Sequence, residues 1–102
     1  MLSRVRVVSV GGPSLYGELP RGQNQRDDIF EAYMSINADV CRLYNISFLR
    51  TRDIFFNHLP ADWNEHQGYL TQDGEHPNAR GAQLMQSIFI DALQNMTTLW
   101  PV

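Results

Sequence analysis

Lysine is missing altogether from this chain of 102 residues, and eight arginines are scattered among eleven acidic residues for a net charge of −3. A nucleic-acid surface needs clustered cations to displace counterions from phosphates, so no nucleic-acid partner is expected. Cysteine occurs once, at Cys41, which leaves no internal disulfide and no thiolate zinc site. Cys41 sits inside an apolar helical pattern, where a small buried side chain is expected. No run approaches the roughly eighteen apolar residues of a membrane span, so none is expected. Val7 to Val10 is too short for a signal-peptide core, and no small-residue cleavage site follows. Asn45 and Asn95 open Asn-x-Ser/Thr triplets, which are glycosylation acceptors only in a secreted protein. No compartment is assigned by the residues, with a cytoplasmic one favoured.

What remains is ordinary globular composition: 43% hydrophobic, 19% charged and 11% aromatic. That excludes a disordered tail, a collagen-like repeat and a coiled coil. A chain this short closes one modest core, burying roughly two-thirds of its unfolded surface, so residues 1–102 are read as one domain.

Arg4 to Val10 is β-branched and stops at Gly11-Gly12-Pro13. Its valines are too continuous for a strand with one wet face, and predict a strand covered on both sides in a parallel sheet. Residues 11–26 hold four glycines and two prolines and read as a long loop at the strand's carboxyl end, where ligand chemistry sits in open α/β sheets. Asp27-Asp28 then opens a helix, its carboxylates suited to capping free N–H groups. Ile29, Tyr33, Ile36 and Val40 recur at helical spacing and mark the expected inner face, with Phe30, Met34, Cys41 and Tyr44 on its flanks. Ile46 to Leu49 reads as a second strand, followed by a short helical segment to His58. Residues 60–74 are polar and irregular. A last helix begins after Pro77, capped by Asn78, with Met85, Ile88, Phe89, Ala92, Leu93 and Met96 on one apolar face.

The order strand, loop, helix, strand, loop, helix predicts a parallel α/β fold. Two strands do not make a stable parallel sheet by themselves. The chain therefore reads as the last part of a larger α/β domain, or as a protein that completes its sheet with itself or a partner.

The densest chemical cluster is Gly68-Tyr69-Leu70-Thr71-Gln72-Asp73-Gly74-Glu75-His76-Pro77-Asn78. Asp73 and His76 stand three apart across a glycine, just before a helix. A tight turn there can aim both side chains at one point, letting the carboxylate hold the imidazole in the tautomer that removes a proton from a hydroxyl. On spacing alone, a helix cap beside a surface histidine is the commoner arrangement.

The segment GYLTQDGEHPNARG resembles the last conserved block of the SGNH, or GDSL-type, esterase and acylhydrolase family, which reads DGxHPNxxG. Upstream, VVSVGGPSLYGE is similar to that family's fourth strand and following loop. Asn24 to Tyr44 resembles the next helix, and ISFLRTRDIFFNHL its fifth strand and short helical follow-on. The resemblance covers residues 4–95 in the family's order. It implies a three-layer α/β/α sandwich with a parallel, flavodoxin-like sheet whose first strands are missing here. It also implies hydrolysis of carboxylic esters through an acyl-serine, with no metal or organic cofactor. Asp73 takes the orienting carboxylate's place and His76 the general base's.

The family's nucleophilic serine lies in a GDS block, and its oxyanion-hole donors lie there, at a second-block glycine and in a GxND block. None of the three blocks occurs in this sequence, which reads as beginning between GxND and the fourth strand. Ser14, in GGPSLYGE, echoes the nucleophile's setting. However, proline replaces the acidic residue before it, and only about sixty residues separate it from Asp73. Metal ligation by His58, Glu65, His66, Asp73 and His76 fits no helix-face or knuckle spacing, so no metal is expected. His58 and His66 read as loop histidines, and Glu18 as a solvated loop carboxylate in preference to one that approaches a substrate pocket. Asn24, Trp63 and Tyr69 read as pocket or lid residues, with Trp63 equally suited to covering the core. Pro77 and Gly81 read as structural: the proline sets the start of the last helix and the glycine permits close packing on the sheet.

The expected function is therefore the carboxyl-terminal part of an SGNH-type ester hydrolase, inactive as the isolated chain because it lacks its nucleophile. Its partners would be a small-molecule ester once completed, and a complementing fragment or a second copy. The alternative is a non-catalytic remnant or interaction module that pairs through its open sheet edge.

Overall fold

The computed structural model describes residues 7–99. It is a mixed α/β chain with a two-stranded parallel sheet and three α-helices, in the predicted order. The elements are β1 (Val8–Gly11), α1 (Asp27–Leu43), β2 (Ser47–Arg50), α2 (Thr51–Asn57) and α3 (Ala79–Leu99), with a 3-10 turn at Trp63–Glu65. The strands run parallel with Val8 opposite Ser47 and Gly11 opposite Arg50.

Helix α1 ends in a Schellman closure. Asn45 adopts φ 55°, the Ile46 amide donates to the Cys41 carbonyl at 2.8 Å, and the Asn45 amide donates to Arg42 at 3.3 Å. Asparagine here replaces the usual glycine in the left-handed position. This closure turns the chain straight into β2. Helix α3 starts as expected: the Asn78 side chain accepts from the Gly81 amide at 2.9 Å.

Leu15, Phe55, Leu70 and Ile88 form the core, with Leu49, Ile54, Tyr69, Leu84 and Met85 packed around them. Leu15 and Leu70 come from the two long loops, so the loops are part of the core and not draped over it. On the sheet, β1 crosses beneath α1, and a Cβ on Gly11 would stand 2.8 Å from the Met34 sulfur.

Three expectations are corrected. Strand β1 is not covered on both sides: Val8 and Val10 lie on the face opposite the one where Gly11 meets Met34 of α1, and there Val10 is exposed and Val8 half-buried. Arg4 to Arg6, placed in the strand from sequence, lie outside the described residues, as do the side chains of Asn95 and Met96. The inner face of α1 is also rotated. Met34 and Cys41 are buried, while Ile29, Tyr33, Ile36 and Val40 are exposed, Ile36 by 59%. Tyr33 and Met34 are neighbours, so the covered face lies about 100° round the helix from the predicted one. Finally, only one of the two α1 carboxylates serves the free N–H groups of the helix: Asp28 accepts from the Ile29 amide at 2.9 Å, and Asp27 does not. Asp27 is buried and accepts from the Gly22 amide at 2.8 Å and the Asn24 amide at 2.9 Å, both upstream of the helix.

That buried Asp27 belongs to an ionic centre. Arg52 at the start of α2 is wholly inaccessible to solvent and pairs with Asp27 and with Glu31. Its Nε donates to the Ser14 carbonyl at 2.8 Å, and its guanidinium lies over the Phe56 ring at 4.8 Å. One side chain thus ties α1, α2 and the first long loop together.

Candidate active site

The segment between Leu70 and Asn78 closes on itself. The Gln72 amide donates to the His76 carbonyl at 2.8 Å and the Asn78 amide to Leu70 at 2.9 Å. Thr71 and Pro77 form an antiparallel bridge, and Gly74 turns the chain at φ 90°. At the tip, Asp73 Oδ1 accepts from the Glu75 amide at 2.9 Å and from the His76 amide at 2.8 Å. Its other oxygen, Oδ2, lies 2.7 Å from His76 Nδ1. A carboxylate can only accept, so Nδ1 carries the proton and Nε2 is left as an acceptor facing outward.

The two groups shift each other's titration. Asp73 is held well below the ordinary carboxylate value, first by the His76 backbone N–H, then by the His76 ring and the Glu75 N–H. His76 is raised, first by its hydrogen bond to Asp73, then by the charge of Asp73 and, less, of Glu75. Both side chains are open to solvent, His76 by 74%.

The first long loop comes to the same place. A groove of about 440 Å³ runs between the loops, lined by Tyr16, Gly17, Leu19 and Gln25 on one side and Asp73 and Glu75 on the other. Ser14 is not among its lining residues, and its carbonyl is engaged by Arg52. Tyr69 is half-buried and lies beneath the Arg80 guanidinium at 3.9 Å from its ring centre.

Several sequence assignments change. Glu18 is not solvated: it is 1% exposed and accepts from the Tyr69 and Thr71 amides and the Thr71 hydroxyl. No local pattern signals a partner more than fifty residues away. Asn24 is buried and braces its own loop against Leu19 and Asp27, so it is no pocket residue. Trp63 is 56% exposed and covers no core. His66 is a buried histidine bonded through Nε2 to the Pro60 carbonyl at 2.7 Å, while His58 stays exposed. Gly81 faces the Leu70 carbonyl and not the sheet, and a Cβ there would collide with that oxygen. Among the described residues no three His, Cys, Asp or Glu side chains come together to hold a metal ion. No helix there is long and apolar enough to cross a membrane.

Comparison with protein-family models, with curated proteins and with solved structures returns no match.

Proposed function

We propose that this chain carries the base half of a serine ester hydrolase of the SGNH type, Asp73 orienting and His76 acting as general base. The observation that carries the reading is the 2.7 Å contact between Asp73 Oδ2 and His76 Nδ1, with Asp73 Oδ1 held by two backbone amides. In that arrangement Nε2 takes the proton of a serine hydroxyl as its oxygen bonds to the ester carbonyl carbon. The imidazolium then gives the proton to the departing alcohol, and the acyl-serine is released by water through the same steps. Asp73 stabilises the imidazolium and stays ionised. The groove between the loops would take the acyl or alcohol part of the ester. The serine and the oxyanion donors are supplied from outside these 102 residues, by sequence preceding them or by a complementing fragment.

The test has two parts. The isolated chain should neither hydrolyse a short aryl ester nor label with a serine-reactive phosphonate, since a base without nucleophile and oxyanion hole forms no acyl-enzyme. The transcript's 5′ end and the native mass should then show an in-frame extension with a GDS serine and a GxND block, whose product loses hydrolysis on His76→Ala. Turnover by the isolated chain, or an extended product indifferent to His76→Ala, would sink the reading.

A second reading is favoured by the exposed Val10 of β1 and the exposed Ile29, Tyr33, Ile36 and Val40 of α1. It makes the chain an interaction module that completes its sheet with a partner. Sedimentation as a monomer at micromolar concentration counts against it.

A further inference from the structure

The junction between the two long loops holds an arrangement that the acid–base pair does not itself require. Glu18 reaches out of the first loop, and its carboxylate accepts from the Tyr69 amide at 3.2 Å and the Thr71 amide at 2.6 Å. It also accepts from the Thr71 hydroxyl, whose oxygen in turn accepts from the Gly74 amide at 2.7 Å. The Tyr16 amide donates to the Gly74 carbonyl at 2.6 Å. Both peptide planes flanking Gly74 are therefore held from outside the turn, one through Thr71 and one through Tyr16. Those planes carry the Gly74 N–H that follows Asp73 and the Glu75 N–H that its carboxylate accepts.

The backbone is bent to make this possible. Tyr16, Gly17 and Glu18 have φ of 50°, 119° and 55° in succession. Two non-glycine residues in the left-handed region persist only where the surroundings over-determine them, and such strain gathers at working sites. Glu18 and Thr71 are each 1% exposed, so a carboxylate has been taken out of water to accept these bonds.

We propose that Glu18 and Thr71 are positioning residues that hold the Asp73–His76 pair in its bonded geometry while hydrogen-bonding to neither side chain. The proposal rests on Asp73 and His76 being a working pair, but its test needs no turnover. The charged groups at this corner are Asp73 and Glu75 on the turn, Glu18 across the junction, and Arg80 of α3 over Tyr69.

The test is the imidazole titration of His76 in the whole chain, read from ring-nitrogen chemical shifts, together with hydrogen exchange at the Gly74 amide. Thr71→Val removes the hydroxyl without changing charge. It should bring the His76 midpoint down towards the ordinary imidazole value and speed Gly74 exchange roughly tenfold, the effect of about one hydrogen bond. Thr71→Ser, which keeps the hydroxyl, should restore both. Glu75→Gln changes the local charge and should leave Gly74 exchange unaltered, separating orientation from simple Coulomb effects. An unmoved His76 midpoint in folded Thr71→Val, or a Thr71→Ser that behaves like Thr71→Val, overturns the proposal. Should Thr71→Val fail to fold, the unaltered chain decides: Gly74 must exchange as slowly as the Thr71 amide, and free exchange there overturns the clamp. Turnover by the isolated chain, or an extended product indifferent to His76→Ala, with these results intact would defeat the hydrolase reading and leave the clamp standing.

Discussion

Arg52 and Asp27, 25 residues apart, meet as an ion pair with almost no solvent contact on either side. Asp27 Oδ2 is taken by the Gly22 and Asn24 amides, and the rest of the Arg52 guanidinium by Glu31 and the Ser14 carbonyl. Such a centre is a costly way to gain stability but a severe thing to break, since Asp27 without Arg52 is a buried charge with no cation beside it. Arg52→Ala should cost about 3–5 kcal/mol. Arg52→Lys should recover only part, because an ammonium cannot span Ser14, Asp27 and Glu31 together. Urea unfolding followed by circular dichroism gives both values.

The Asp73–His76 pair makes the turn sensitive to pH in a defined window. The raised His76 value contributes stability fully below the ordinary imidazole value of 6.5, and that is lost as pH rises through the folded-state value. The depressed Asp73 value contributes above the ordinary 3.8, and that is lost as pH falls through its folded-state value. The two act together between about 3.8 and 6.5. Asp73→Asn should move His76 back towards the ordinary range in a ring-nitrogen titration. In a completed hydrolase the base must be neutral, so activity should rise with pH through the elevated His76 value.

Gly74 cannot accept a side chain. A Cβ there would stand 2.5 Å from the Gly17 nitrogen, and the backbone is already at φ 90°. Gly74→Ala should destabilise by about 1–3 kcal/mol, the scale of left-handed strain in a non-glycine residue. Exchange at the Thr71 and Tyr69 amides should rise in the same variant, because the junction with the first loop opens.

Substitutions on the two faces of α1 should separate cleanly. Ile36→Ser, on the exposed face, should stay within about 0.5 kcal/mol of the parent in urea unfolding. Met34→Ala, over Gly11 of β1, should cost about 2–5 kcal/mol. The reverse order would place the cover on the face that the periodicity suggested.

That contrast shows what was legible in the residues. The parallel β–α–β order, the short α2, the Asn78 cap and the meeting of Asp73 with His76 all follow from local signals: β-branched runs, helical spacing, a capping residue and a three-residue turn. Periodicity states which residues of α1 share a face. Which face is covered depends on Met34 meeting Gly11, a contact that is not local in sequence. Glu18 was misread for the same reason: a glutamate in a glycine-rich loop looks solvated until its partners at 69 and 71 are known. Asp27 likewise looked like a helix cap because its partner Arg52 is distant in sequence.

Asn78 does two jobs with one side chain: its oxygen accepts from Gly81 at the start of α3, and its nitrogen donates to the Gly68 carbonyl at 2.8 Å. Most helices unravel inwards from both ends, losing their first turn as readily as their last. Here the first turn is sewn to the loop beside Asp73 and His76, so opening that end of α3 must also break its tie to Gly68. The Asp73–His76 turn therefore cannot loosen at this point without the start of α3 loosening with it.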